Sequence, residues 1–496
     1  MKKVILASST ALALVWAAPA VSQAQLPALL EGLEAMAVYN DTVVEYDNKT
    51  VGTDYSVEYS GLRIKEDAAD GTIIAIDWLR VEPSAAVPGQ ITISVSPRAN
   101  ITVNESGMPP YSIDVLSDGV TATLDNMIPG AGGDAAATWN YVVNIPSLQL
   151  TGTGDNPVIQ ELNFAITGLT TMSSFTPASL TVASEGGWDA FIFAFDIETP
   201  DDQRIAESGN MVDFAYEFAF DAVDERQMPE YMKGERNAHF NLSTGSQSIE
   251  MTIAGPDMAV DMAAQSVQSE LAASMSDGIF TFSAENGVTN YQFNELVIEG
   301  TPVPPFIIAL TAADMGLRLP LINSGNVEEA SLKLKLENLT MPDSLMAMVD
   351  PSASIPRTPL NLNIDVLANV ISRINWDDPD SSFDSGNPMD VAEVQDITIR
   401  QILLAAGGAE VSATGDATVD NSMGVPFPTG MVTVTAKGVQ TLVNTLVQLG
   451  LVPQQDAGMA MGMLMGLARN EGPDHFVSDI EFSPNGVTAN GSPLPF

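Results

Sequence analysis

Cysteine is absent from the 496-residue chain. That excludes disulfides, thiolate metal sites, cysteine nucleophiles and a lipid-modified N-terminal cysteine. Histidine is nearly absent: only His239 and His475 occur, each followed by phenylalanine. The count leaves no histidine-rich metal site, and no H-E-x-x-H is present. A Ser-His-Asp triad would have to recruit one of these two isolated imidazoles. There is no G-x-S-x-G elbow and no phosphate-binding loop. No cofactor is indicated. Positive charge is scarce too, with 19 Lys and Arg against 63 Asp and Glu, a formal net charge of −44. Such a surface repels nucleic acid, whose binding rests on Lys and Arg neutralising phosphates, and it repels anionic lipid headgroups. The acids are spread along the chain, which reads as a solvated surface; adaptation to a salty medium is the sharper alternative.

Abundant carboxylates leave one catalytic device open, the two-acid pair of a glycosidase, but with 63 acids no pair stands out. A calcium site is conceivable in the acidic loop 375–390, where Asp377, Asp378, Asp380, Ser382 and Asp384 have the spacing of part of an EF loop. No register there puts Gly sixth and Glu twelfth, and a solvated loop explains the residues as well.

Long apolar runs are few. The first is in MKKVILASSTALALVWAAPAVSQAQ. Lys2 and Lys3 precede an apolar core from Val4 to Ala18, and Ser22-Gln23-Ala24 supplies small residues for cleavage. This pattern is that of a secretory signal peptide, residues 1–24, cut after Ala24. Its core is shorter than the roughly 20 residues of a membrane span. The expected location is therefore the periplasm or the extracellular medium. Cleavage would remove two lysines and no acid, making the mature chain still more negative. Screening of that self-repulsion is expected to raise the melting temperature as salt rises from low levels; a melting temperature flat in salt would contradict it.

The second run, QTLVNTLVQLGLVPQQDAGMAMGMLMGLARN, spans Gln440 to Asn470 with Asp456 and Arg469 as its charges. Leu442, Val443, Leu446, Val447 and Leu449 share one side of an amphipathic helix over 439–452, ended by Pro453. Asp456 is placed to cap a second helix, 456–468. Neither half reaches the length of a span, so no transmembrane segment is expected in the mature chain. Met459, Met461, Met463 and Met465 scatter around the second axis without His or Cys beside them. They read as filler of an apolar gap, in a helical pair that covers the greasy face of a sheet.

What the chain has in quantity is period-2 alternation. QITISVSPRANITV, NYVVNIPSLQLTG, ASLKLKLENL, LNLNIDVL and GMVTVTAKG each read as a strand with one apolar face, the pattern of an antiparallel sheet. Three segments, 113–124, 280–293 and 480–491, place Asp-Gly or Asn-Gly before Val-Thr and read as hairpins. The most apolar strand pair is FIFAFDIE and VDFAYEFAFD. Phe191, Phe193, Phe195 and Ile197 share one face, and Val212, Phe214, Tyr216, Phe218 and Phe220 share one face of the next. Side by side they would form a broad aromatic surface, either ordinary covered core or a groove for an apolar ligand. Further helices are expected after the cleavage site (LPALLEGLEAMAVY) and at 340–350. The Pro-rich GTPVPPF, 300–306, marks the expected boundary between lobes 25–300 and 301–496. An outer-membrane barrel is not expected: SPLPF puts prolines in the terminal strand, and few runs reach the 9–11 residues of a barrel wall.

The segment ASLKLKLENLTMPDSLMAMVDPSASIPRTPLNLNIDVLANV, with the later GAEVSATGDATVD, PFPTGMVTVTAKGVQTLVNTLVQLGLVP and closing NGVTANGSPLPF, resembles the bacterial envelope family called domain of unknown function 2125. In style the tail is also similar to AsmA-like envelope proteins with long curved sheets, implicated in lipid traffic. The resemblance implies a periplasmic β-rich protein and carries no catalytic residue. The expected fold is thus mainly β: an extended, largely antiparallel curved sheet in one or two lobes, with a few short helices over its apolar face. The expected function is a non-enzymatic exported envelope protein that binds or shields a hydrophobic ligand such as lipid, at a groove formed by Phe191, Phe193, Phe195, Phe214, Tyr216, Phe218 and Phe220. A closed-core protein that binds another envelope protein and a carboxylate-dependent hydrolase are the alternatives.

Overall fold

The computed structural model describes residues 26–28, 30–31, 42–66, 71–87, 89–104, 111–125, 138–153, 158–176, 179–198, 203–221, 229–255, 258–298, 300–378, 390–422 and 426–494. Strand makes up 69% and helix 10%, in a large antiparallel sheet with few short helices, as the alternation implies. The signal peptide, most of the loop 127–139 and the calcium candidates Asp380, Ser382 and Asp384 lie outside the described residues. The chain divides into two compact units, residues 1–222 with 244–259 and residues 223–243 with 260–496. The expected boundary at 300–306 falls within the second unit.

The first unit contains β1 (Thr42–Glu45), β2 (Asn48–Val51), β3 (Val57–Glu66), β4 (Thr72–Pro83), β5 (Ile91–Val95), β6 (Arg98–Val103), β7 (Tyr111–Ser117), β8 (Val120–Leu124), β9 (Trp139–Thr153), β10 (Ile159–Thr176), β11 (Thr181–Glu198) and β12 (Arg204–Asp221). All the pairings are antiparallel; β9 to β12 form a simple meander, and the strands before them share one recurring device. Short successive strands lie end to end along one long partner: β1 and β2 on β3, β5 and β6 on β4, β7 and β8 on β9. The segment 113–124 is therefore not a hairpin but one strand kinked at Asp118-Gly119. A two-residue hairpin turn of the Asp-Gly type needs positive φ at both central residues; here Gly119 alone has it, φ 123°.

β13 (Ala238–Ala254) and β14 (Met258–Ser276) lead into the second unit. It holds β15 (Ile279–Asn286), β16 (Thr289–Ile298), β17 (Thr301–Val303), β18 (Phe306–Leu310), β19 (Ala312–Pro320), β20 (Glu328–Leu339), β21 (Leu360–Ser372), β22 (Ala392–Ala406), β23 (Ala409–Asp420), β24 (Phe427–Lys437), β25 (Arg469–Gly472), β26 (His475–Ser483), β27 (Gly486–Ala489) and β28 (Ser492–Pro493). β15 and β16 both pair with β14, so Asn286-Gly287 is again a kink and the second expected hairpin is absent. The third, β26–β27, is a true hairpin. GTPVPPF is part of a short edge pairing, β17 on β16, where proline is tolerated.

These kinks also overturn the expectation of few long strands. β9 to β14 run 15 to 19 residues each. Their alternation is interrupted by left-handed residues such as Gly168 (φ 66°) and Asp213 (φ 53°), which break one long strand into what looks like two short ones.

Helices are few and short. Residues 26–28 and 30–31 are helical, and a single turn occupies Pro229–Met232. α1 (Asp343–Val349), α2 (Val439–Gln448) and α3 (Gln454–Leu467) lie in the second unit. α3 starts two residues before Asp456, with Pro453 at the N-cap position, so Asp456 sits in the first turn and is not the cap. Asp350 after α1 is fully buried and gathers the following turn. Its Oδ1 accepts the Ser354 N–H at 3.0 Å and its Oδ2 the Ile355 N–H at 2.8 Å, with Arg357 Nη1 3.4 Å away. Burial pushes this carboxyl up, but the N–H groups of Ile355 and Ser354, the Ser352 hydroxyl and Arg357 outweigh it and hold it below the ordinary value. The Asp-Pro…Ile-Pro-Arg run is thus a clasp around a buried carboxylate.

α2 begins at Gly438, whose hydrogen side chain cannot cap it. Asp474, 34 residues after Gln440, does so: its two carboxylate oxygens accept the N–H groups of Gln440 and Thr441, both at 2.8 Å. Burial raises this carboxyl, while the Thr441 side chain and the Thr441 and Gln440 N–H groups outweigh it and bring it below the ordinary aspartate value. A depressed carboxyl stabilises the fold above its unfolded pKa and loses that contribution as pH falls through the folded value. Asp474→Ala is therefore expected to cost about 0.5–2 kcal/mol at pH 7, a difference that shrinks as pH falls below the ordinary aspartate value and through the depressed one. Urea denaturation of both proteins across that range measures it.

Among the described residues, two clusters of buried apolar side chains lie in the first unit. Leu26, Val81, Ile91 and Leu124 form one cluster, and Val57, Tyr59 and Leu62 a second, with Leu30 against both. The long strands are different: in β9 to β12 Ser184 is the one buried residue among the described side chains.

An apolar cavity and an aromatic sheet face

The sheet face that carries Ile91, Ile93 and Val95 closes round a cavity of about 370 Å³ in the first unit. β3 and β4 give it Ile64, Ile76 and Leu79. β5 and β8 give Ile93, Val95, Val120, Ala122 and Leu124. β9 and β10 give Trp139, Tyr141, Val143, Ile145 and Phe175. The alternation of QITISVSP and NYVVNIP places these side chains together because every second residue of a strand points to the same side. Asp125 is the only carboxylate among the described lining residues, and it accepts the Gln90 side-chain amide at 2.6 Å. The Tyr141 hydroxyl is pushed up to about 12 by burial and then by the nearby Tyr216, so it stays neutral at physiological pH. Leu79, Ile93, Leu124 and Tyr141 face the cavity and also touch the cluster around Leu26. The expected helix after residue 25 thus stands against one wall.

Registers show that the wall does not stop at β10. Val81 pairs with Ile93, Ile93 with Ala122, Ala122 with Val143, Val143 with Thr171, Thr171 with Gly186 and Gly186 with Tyr216. One row over, Leu124, Tyr141, Ser173, Ser184 and Phe218 are successive partners. Directly paired residues share a face. The predicted Phe214, Tyr216, Phe218 and Phe220 on β12 therefore lie on the same side of the sheet as the cavity wall. They form a ladder with ring centroids 6.0–6.2 Å apart, and Trp188 stacks on Phe214 at 3.7 Å. Polar groups between the rings are paired: Tyr216 and Thr171 share a hydroxyl hydrogen bond, and Ser173 donates to Ser184 at 2.8 Å. Gly186 makes room for this. A Cβ there would lie 2.9 Å from the Tyr216 hydroxyl and 2.4 Å from the Thr170 carbonyl oxygen.

Phe191, Phe193 and Phe195 on β11 differ in strand parity from Trp188, yet Phe191 meets Trp188 edge-on at 6.2 Å and stacks on Phe164. The interruption near Asp189 and Asp213, where neither residue has a ladder partner across β11–β12, switches the alternation and brings Phe191 to Trp188; the two aromatic sets do not lie side by side as expected, because Phe191, Phe193 and Phe195 pair with Met211, Gly209 and Glu207. Phe193 follows Phe191 at 5.6 Å and covers Gly209. Phe195 pairs with Leu162 and Glu207. None of the seven aromatic residues is fully buried, and Phe220 is exposed. The cavity residues of β4, β5, β8 and β9 were not singled out in the sequence as a site; the register of three kinked strands was needed to assemble them.

Elsewhere the site candidates stay apart. His475 pairs across the strands with Lys437 on β24, while His239 lies in β13. Asp377 binds Lys233 at 2.5 Å. Among the described residues no group of His, Asp and Glu is arranged to hold a metal. Among them, too, no helix is long and apolar enough to cross a membrane.

No curated protein matches the chain. A family model described as "Uncharacterized protein conserved in bacteria (DUF2125)" matches residues 241–489, the span that holds the Asp350 clasp and the Asp474-capped helix; the AsmA-like likeness is not shown. With half of its length in that match, the chain belongs to the bacterial family DUF2125.

Proposed function

We propose that this is an exported, non-enzymatic envelope protein that holds the alkyl chain of a lipid-like molecule in the cavity of its first unit. The observation that carries the reading is the cavity itself, about 370 Å³ with a lining that is almost wholly aliphatic and aromatic. Ligand pockets are typically roughly 300–1,000 Å³ and apolar with a few polar groups. The half-exposed aromatic ladder on the same face supports a path from the cavity along β10 to β12. The Trp188 indole N–H is buried without an acceptor among the described residues; a carbonyl of the ligand would satisfy it. Export rests on the signal-peptide pattern of residues 1–24.

Native mass spectrometry and organic extraction of protein purified without detergent test the reading. A bound lipid-like species released on denaturation is expected. A preparation with no such species, which also fails to take up an apolar probe, would favour the closed-core alternative.

A further inference from the structure

The second unit exposes an apolar helix that the sequence had assigned to the interior. α3 keeps Ala457 buried and Met461 and Leu464 half-buried, the side that meets β26. Its other sides face solvent: Met459 is 56% exposed, Met463 60% and Met465 54%. Leu451, before the helix, and Leu467, at its end, are exposed as well. A Cβ added at Gly458, Gly462 or Gly466 would meet no atom within 4 Å, so none of the described residues packs on those faces. Met459, Met463 and Met465 therefore do not fill a core gap.

We infer that this helix docks on the surface of an uncharged lipid bilayer, with Met459, Met463 and Leu467 entering the acyl boundary. Three observations select that occupant. From Ala457 to Ala468 no side chain except the weakly accepting thioethers can form a hydrogen bond. A protein partner would normally find about one hydrogen bond per 100–200 Å² and a polar rim, whereas acyl chains ask only for apolar area. A second copy would bring another formal charge of −44 against the first, a repulsion that opposes self-association. The same charge disfavours anionic headgroups, and Asp456 is the only charged residue in the helix. At 14 residues, α3 is roughly 21 Å long, short of the roughly 30 Å hydrocarbon core, so it lies on the bilayer and does not span it.

The proposal concerns a surface of the second unit and does not depend on the cavity. The test is flotation of the purified exported protein with phosphatidylcholine vesicles, in parallel with Met459→Glu/Met463→Glu and with the cavity variant Ala122→Trp. Wild type and Ala122→Trp are expected to float, and the double Glu variant to lose at least about tenfold in bound fraction. Because both methionines are exposed, the variant should retain the wild-type far-UV spectrum and melting temperature, and its uptake of an apolar probe should be unchanged. No flotation of the wild type, flotation indifferent to the Glu substitutions, flotation that requires phosphatidylglycerol, or a stable dimer by light scattering that those substitutions dissolve would each overturn the proposal.

Discussion

Ala122→Trp is expected to abolish most apolar-ligand binding while leaving the fold intact. Ala122 faces the cavity from β8, opposite Val143 on β9 and next to Ile93 on β5. An indole placed there occupies space that a ligand chain would take. Each methylene denied burial forfeits about 0.8 kcal/mol, so excluding three costs roughly 2.4 kcal/mol, about fiftyfold in affinity. Overpacking a filled core would cost about 1–3 kcal/mol of stability, but here the new side chain enters open volume. Titration with the neutral fluorophore N-phenyl-1-naphthylamine reads affinity, and a thermal melt reads stability. Glu217→Ala, on the exposed opposite face of β12, is the control and should bind as wild type does. Equal binding by Ala122→Trp and wild type would mean that the probe sits elsewhere.

The largest loss of stability is expected for Leu26→Ala. Leu26 is 1% exposed and packs against Val81, Ile91 and Leu124, three of the most buried side chains in the chain. Truncating such a leucine removes its transfer energy and leaves a void, together about 2–5 kcal/mol. Because Leu79, Ile93, Leu124 and Tyr141 are shared by this cluster and the cavity wall, the loss should also loosen ligand binding. Met463→Ala, in contrast, removes a side chain already 60% exposed and should stay within about 0.5 kcal/mol of wild type. Urea denaturation followed by tryptophan emission separates the two. A Leu26→Ala protein as stable as wild type would show that the segment after residue 25 does not hold the first unit together.

The antiparallel β class was legible in the sequence because alternation survives wherever a strand is regular; the expected pairing of FIFAFDIE with VDFAYEFAFD was not, since the register sets Phe191–Glu198 against Arg204–Met211 and Val212–Asp221 against Thr181–Ala190. The hairpins at 113–124 and 280–293 were not. An Asp-Gly or Asn-Gly pair permits a reversal, yet a kink within a strand uses the same glycine freedom, and only the partner strand decides which forms. Strand lengths were misjudged for the same reason, since Gly168 and Asp213 hide the continuity of β10 and β12. The α3 methionines were assigned to the interior on composition; an apolar helix gives no local sign of whether a sheet covers it. The cap of α2 was equally out of reach, because Asp474 lies 34 residues from the Gln440 N–H it accepts. The aromatic residues of the candidate site were visible as a face, but the cavity wall that continues that face comes from six strands spread over some hundred residues.

A photoreactive alkyl chain bearing a terminal diazirine, bound to the purified protein and mapped by peptide mass spectrometry, locates the ligand directly. Labels on Ile93, Ala122, Val143 and Tyr141, extending toward Tyr216 and suppressed by Ala122→Trp, are the predicted result. Labels confined to the outer faces of the strands, or to the second unit alone, would contradict an alkyl-binding cavity in the first.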